Sequence, residues 1–316
     1  MAGRESSYFR SMLALMEGGP AALELAHKTL DYAEANSDMP GVSQLAGVRL
    51  LAPLPRPVKI RSFSVYEKHM LQSLDAVIRS KAGGWAVHLN HALKLIKPPK
   101  QFYDAPAYYK GNNTSVIGHE DDIRWPTFAE TQMDYELELG VFIGRAGQDI
   151  PASKAKPYIF GYTVYNDVSA REQLLKELFK GKLGPLKGKD FQTGNAIGPW
   201  IVTADEIMDP YNLDMEIRVN GEVQGRANTG EMYHNIEEMI AHASLGERLV
   251  PGEFFGTGAA GNCTGIESWS FLNAGDSIEL EIEKIGVLRN RLIVNKPDPQ
   301  TENLVSEASA SAPMLR

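Results

Sequence analysis

The sequence predicts an α+β fold that is mostly β, on three observations. Between residues 102 and 292, short apolar runs are punctuated by turn residues at strand-like spacing. Residues 133–144 alternate strictly: Tyr135, Leu137, Leu139, Val141 and Ile143 share one side of an extended chain, and Glu136 and Glu138 share the other. Helical periodicity is confined to the stretches 8–35, 66–82, 169–179 and 236–244.

Tyr8, Met12, Leu15 and Met16 recur at helical spacing, and Gly18-Gly19-Pro20 interrupts the pattern before it resumes at Ala21. Pro53, Pro55 and Pro57 make an extended linker, because each ring fixes its own backbone and restricts the preceding residue. These features set off an N-terminal helical and linker region, 1–57, from a main domain, 58–295. A short strand at 58–65 leads into the helix at 66–82. The less regular stretch that follows ends at Pro98-Pro99, so 66–101 is a candidate lid. Ser169-Ala-Arg-Glu172 has capping-box spacing, which puts Asp167 just before a helix N-terminus. Asn220-Gly221 between two β-patterned runs predicts a two-residue hairpin, since both central residues tolerate positive φ. Residues 277–283 alternate as another strand, and the polar tail 296–316 reads as disordered.

The 316 residues suffice for one large domain with a small appendage, and a hydrophobic share of 43% supports a sizeable core. A net charge of −8 argues against a nucleic-acid partner, which requires clustered Lys and Arg. No apolar run approaches the roughly 20 residues that span a bilayer. The polar N-terminus lacks a secretory segment, so the cytoplasm is the expected compartment. Cys263 is the single cysteine, which excludes an internal disulfide.

Two carboxylates on one strand face repel unless water, a base or a cation lies between them. A hard cation such as Mg²⁺ is a common reason for oxygen ligands in this arrangement. Asp167 ends the run Gly161-Tyr-Thr-Val-Tyr-Asn-Asp167, so Glu136, Glu138 and Asp167 form a candidate three-carboxylate site. Alternating Glu also suits the solvent face of an edge strand, and Asp167 alone suits a helix cap; both readings stay open here. Gly256-Thr-Gly-Ala-Ala-Gly261 matches G-x-G-x-x-G, but no helix start follows it, so a dinucleotide loop is rejected. The run can still approach a ligand, with Thr257 as a donor. His69, at the start of the candidate lid, needs a partner before it reads as a base. Lys187-Gly-Lys189-Asp190 taken alone looks like a solvated turn.

In order, these pieces resemble the fumarylacetoacetate hydrolase family. The matching segments are Asp134-Tyr-Glu-Leu-Glu-Leu, Gly161 through Arg171, Gly188-Lys-Asp-Phe, Gly198-Pro-Trp-Ile, Leu249-Val-Pro-Gly-Glu, Ala274-Gly-Asp276 and Ile285-Gly-Val-Leu-Arg-Asn290. They cover roughly 61–292. The resemblance implies a mixed β-roll or β-sandwich catalytic domain, a homodimer, and Mg²⁺ or Mn²⁺ (Ca²⁺ also suits) on Glu136, Glu138 and Asp167. It implies a histidine–glutamate pair, here His69 and Glu267. Arg171 and Lys189 would stabilise an enolate, and Lys110 or Thr257 would bind a carboxylate or developing oxyanion. Two positions depart from family patterns: Gln72 stands where some members carry a lid glutamate, and Ser62 where long members carry a fourth carboxylate ligand.

The resemblance implies hydrolysis of a C–C bond in a β-diketo acid or acylpyruvate, of the kind met in aromatic-compound catabolism. A keto acid is the expected small-molecule partner. Oxaloacetate decarboxylation, or tautomerisation or hydration of a 2-keto acid, is the alternative on the same fold. A catalytically inactive binding protein is the alternative of another class.

Overall fold

The structure, a computed structural model, describes residues 7–294. The tail expected at 296–316 lies outside the described residues. In chain order the strands are β1 (Ile60–Phe63), β2 (Tyr108–Gly111), β3 (Val116–Ile117), β4 (Asp122–Trp125), β5 (Met133–Asp134), β6 (Leu137–Ile143) and β7 (Ile159–Asp167). They continue with β8 (Ser169–Ala170), β9 (Asn195–Thr203), β10 (Asp214–Val219), β11 (Glu222–Asn228), β12 (Phe254–Gly256), β13 (Ser277–Ile282) and β14 (Gly286–Val294). The α-helices are α1 (Met12–Ala35), α2 (Glu67–Ala82), α3 (Gly84–Leu93), α4 (Lys100–Asp104), α5 (Arg171–Leu175), α6 (Ile236–Ser244) and α7 (Gly265–Ser268).

Seven strands form the main sheet in the order β2-β1-β12-β6-β7-β9-β3, and five form a second in the order β11-β10-β13-β14-β4. Pairing is mostly antiparallel, with parallel pairs at β1–β12, β3–β9 and β14–β4. The expected α+β architecture is therefore observed as a mixed fold built on two sheets, with strands and α-helices holding similar numbers of residues. The alternation of β6 explains its place. Leu137, Leu139, Val141 and Ile143 are buried in one core with Met215, Ile217, Leu280 and Leu288 of the second sheet. Full burial of each such side chain stabilises by about 1.5–3 kcal/mol. Phe142, on the other face, packs with Phe160, Tyr165, Ile197, Phe254 and Met16 of α1. Because β6 lies between β12 and β7 and is covered on both faces, the edge-strand reading of Glu136 and Glu138 falls.

Sequence punctuation acts where it was expected. Gly19 kinks α1 with φ 59°, just before Pro20. Asn220 and Gly221, at φ 53° and 80°, turn β10 into β11. The stretch 83–101 holds α3 and α4, and Asp75 of α2 pairs with His91 of α3 at 2.8 Å. The capping box at Ser169 does not form. Ser169 and Ala170 are extended because they pair with Asp134 and Met133, and the Ser169 hydroxyl donates to the Asp167 carbonyl at 3.1 Å. The helix begins only at Arg171. Among the described residues no helix is long and apolar enough to cross a membrane.

Candidate active site

The site lies where β6 and β7 run side by side. Their register sets Glu138 against Tyr165 and Leu137 against Asn166, and the Asp167 N–H donates to the Glu136 carbonyl at 3.2 Å. The pleat thereby sends Glu136, Glu138 and Asp167 to one face. One oxygen from each lies within 4.8 Å of the others, and all three side chains are buried. The helix-cap reading of Asp167 falls too: its carboxylate turns into this cluster.

Two buried cations face the acids. Lys189 Nζ lies 2.7 Å from Glu136 Oε2, 2.9 Å from Asp167 Oδ2 and 3.0 Å from the Asp167 carbonyl. Arg171 bridges two carboxylates, with Nη2 2.5 Å from Glu136 Oε1 and Nε donating to Asp134 Oδ2 at 2.7 Å. Lys189 is thus not in a solvated turn. Glu177 accepts the amides of Leu186 (2.9 Å) and Gly188 (3.1 Å) and draws that segment inward. Ser62 donates to Asp167 Oδ2 at 3.0 Å, so a hydroxyl occupies the place of a fourth carboxylate. Tyr109 donates to both Asp167 oxygens at 2.8 Å.

The charges do not balance. Four buried carboxylates (Asp134, Glu136, Glu138 and Asp167) face two buried cations, a formal deficit of two positive charges. The consequences differ by position. Burial alone would raise the Glu136 carboxyl, but Lys189 and Arg171 in contact with it hold it at about 2. Burial, and then the charges of Asp167 and Glu136, push the Glu138 carboxyl well above the carboxylate range. Burial likewise raises Asp167, against the pull of Lys189. Glu138 Oε2 accepts the Gly258 amide at 2.8 Å, whereas Oε1 is buried with no hydrogen-bond partner among the described residues. An orphaned carboxylate oxygen beside two others, in a region two charges short, fits a hard divalent cation.

The glycine run is a wall of this site rather than a dinucleotide loop. A Cβ on Gly256 would stand 2.4 Å from Glu138 Oε2. Gly258, at φ 90°, would meet the Phe63 carbonyl at 2.6 Å. Side chains at either place would displace Glu138 or its donor. Thr257 is buried between them.

His69, on the first turn of α2, donates from Nδ1 to Glu267 Oε1 at 2.8 Å, so the expected pair meets across 198 residues of chain. Glu267 belongs to α7, where it also accepts the Thr264 amide in a capping box. Gln72 is not part of an acid–base pair. Its Nε2 donates to Asn262 Oδ1 at 2.6 Å, and its Oε1 accepts the Asn262 amide at 3.1 Å, clasping α2 to the 257–264 loop. Lys110 does not join the site. Side chains along β2 alternate, and it is Tyr109 that reaches Asp167, so Lys110 points to the opposite face, where it is exposed. Tyr109 and Asp134 went unassigned in the sequence. Alternation along a strand as short as β2 would single out one residue in two without saying which.

The model of the family described as Fumarylacetoacetate (FAA) hydrolase C-terminal matches residues 81–293. The mitochondrial oxaloacetate tautomerase fahd2 of Xenopus laevis is 32% identical over 287 residues, 89% of this chain and 78% of that protein. The mitochondrial oxaloacetate tautomerase FAHD2A of Homo sapiens is 31% identical over 289 residues, 90% and 80% of the two chains. Among solved structures, 5-carboxymethyl-2-hydroxymuconate delta-isomerase from Mycobacterium smegmatis superposes with a TM-score of 0.61 at 29% identity, covering 80% and 83% of the two chains. A 2-hydroxyhepta-2,4-diene-1,7-dioate isomerase from Mycobacterium marinum gives 0.60 at 28%, over 82% and 83%. A family match over two thirds of the sequence, with relatives aligned along most of its length, agrees with the ordered motifs and the sheet that carries them: this chain belongs to the fumarylacetoacetate hydrolase family.

Proposed function

We propose that this protein is a divalent-metal-dependent enzyme that moves a proton on a 2-keto diacid, with oxaloacetate keto–enol tautomerisation as its first candidate reaction. The observation that carries the reading is the buried carboxylate triad with its unpartnered Glu138 oxygen, facing an acid–base pair on another element. Glu136, Glu138 and Asp167 would hold Mg²⁺ or Mn²⁺. Such an ion, when bound, supplies Lewis-acid polarisation of a chelating 2-keto acid.

The chain's own residues account for the rest. Glu267 fixes Nδ1 of His69 as the protonated nitrogen, which leaves Nε2 to take a proton at one substrate position and return it at the other. Lys189 and Arg171 place positive charge beside the acids, where a developing oxyanion is favoured. Thr257, buried between the two glycines that close on Glu138, would be the hydroxyl offered to the substrate. The lid helices α2 and α3 exclude water from the proton transfer. The similarity to tautomerases and isomerases along most of the chain favours this reading over C–C hydrolysis.

Hydrolysis of an acylpyruvate is the second reading, favoured by the same His69–Glu267 pair, which suits activation of water. A homodimer is the proposed assembly, to be checked by light scattering. The deciding experiment follows enol and keto absorbance of oxaloacetate with Mg²⁺ or Mn²⁺ and then with EDTA, beside a panel of acylpyruvates. Metal-dependent equilibration of oxaloacetate without CO₂ supports the tautomerase. Two acid products from an acylpyruvate would move the reading to the hydrolase. No turnover and no metal binding would leave a binding protein.

A further inference from the structure

Asp134 is a buried carboxylate that the proposed chemistry does not use. Its two oxygens accept four hydrogen bonds from three parts of the chain. Oδ1 takes the Tyr135 amide at 2.8 Å and the Gly265 amide at 2.7 Å. Oδ2 takes the Ile266 amide at 2.9 Å and Arg171 Nε at 2.7 Å. With its acceptor sites filled, this carboxylate has no place for a cation or a substrate.

Its partners lead to opposite halves of the site. Arg171 reaches from Asp134 to Glu136, 2.5 Å from Nη2. Gly265 and Ile266 open α7, whose third residue, Glu267, receives His69. A helix of four residues does not hold itself together, so the groups fixing its first amides decide where Glu267 points. The approach is close enough to require a glycine: a Cβ on Gly265 would stand 2.5 Å from Asp134 Oδ1.

We infer that Asp134 is a positioning residue that sets the metal carboxylate Glu136 and the His69–Glu267 pair in one register. It acts on the first through Arg171 and on the second through the amides of α7. The inference rests on the reading that Glu136 holds a cation and His69 moves a proton.

The test measures Mn²⁺ affinity by electron paramagnetic resonance, and kcat on oxaloacetate, for wild type, Asp134→Asn, Glu267→Gln and the double variant. Partners one step beyond a metal ligand commonly change affinity by about 10- to 100-fold, and Asp134→Asn is expected to weaken Mn²⁺ in that range. It should also lower kcat. In the Glu267→Gln background its effect on kcat should largely vanish while its effect on Mn²⁺ persists, a split that general destabilisation does not produce. Mn²⁺ affinity equal to wild type, or the same fold-loss of kcat in both backgrounds, overturns the inference. Should Asp134→Asn fail to fold, Arg171→Lys removes the bridge while keeping the charge, and unchanged Mn²⁺ affinity in that variant overturns it equally. Absence of Mn²⁺ binding or of turnover in the wild type would instead strike the underlying reading, and this inference with it.

Discussion

The two halves of the site are built by different means. The acid half stands on β6 and β7 at the middle of a seven-stranded sheet, with apolar layers on both faces. The base half stands on α2, the proposed lid helix, which buries only Ala76 and Val77 and is joined to its surroundings by polar contacts: His69 to Glu267, Gln72 to Asn262, Tyr103 to Glu67, and Lys68 to Glu231 at 3.1 Å. Trp85, Leu93 and Leu95, further along the lid, are more than half exposed. A sheet ladder fixes carboxylates before anything binds, whereas a lid held by replaceable side-chain bonds can open. Elements that must move are drawn from the less stable parts of a fold. On the proposed reading the cation site would be preformed and the proton-transfer group delivered to it.

The largest effect should come from breaking the acid half. Asp167→Asn leaves Tyr109, Ser62 and Lys189 their neighbour but removes one of three anionic ligands. Loss of a ligand should exceed the roughly 100-fold upper effect of its outer partners, so calorimetry should detect no Mg²⁺ or Mn²⁺ binding, and turnover should vanish. Tight metal binding by this variant would sink the three-carboxylate assignment.

Breaking the base half should separate chemistry from binding. His69→Gln is expected to lower kcat by about 10²–10⁴, the span of a general acid–base contribution, with Mn²⁺ affinity unchanged. A parallel loss of both would mean that the halves are not independent in the way their supports suggest.

How much of this was legible follows the same division. The period-two alternation of residues 133–144 placed Glu136 and Glu138 on one face, because strand geometry is local. It could not say that the face was buried, since that depends on α1 and the neighbouring strands. Lys189 read as a solvated turn because the carboxylate that draws its segment inward, Glu177, lies on the preceding helical stretch, and helical periodicity does not say that this side chain reaches the amides of Leu186 and Gly188. Lys110 was placed by likeness alone, and β2 presents Tyr109 instead. Gln72 read as a missing acid, whereas its partner Asn262 lies 190 residues away and makes it a clasp. Contacts between lid and sheet carry no local signature, so the pairing of His69 with Glu267 came from resemblance and not from spacing.

The clasp offers a gentler way to sharpen the comparison. Gln72→Ala removes two partly exposed hydrogen bonds, a cost of about 1 kcal/mol. It should speed amide exchange in α2 and α3 and leave β6 and β7 protected, with a few-fold change in turnover. Faster exchange across the sheet as well would show that lid and sheet open as one unit.

The smallest effect tests whether the loop between the halves stays closed. Cys263 is buried on that loop, and desolvation followed by the charges of Glu267 and Glu231 pushes its thiol up to about 12. At about pH 8 the native thiolate fraction is then only ~10⁻⁴, so a disulfide reagent should label Cys263 no faster than the chain unfolds. A thiol whose pKa rises on folding favours the native state below its unfolded value near 9 and loses that contribution as pH climbs toward about 12. Cys263→Ala should therefore be less sensitive to alkali than the wild type across that window. Rapid labelling at neutral pH, faster than global unfolding and accelerated by Gln72→Ala, would show that the loop opens with the lid and belongs to the mobile half.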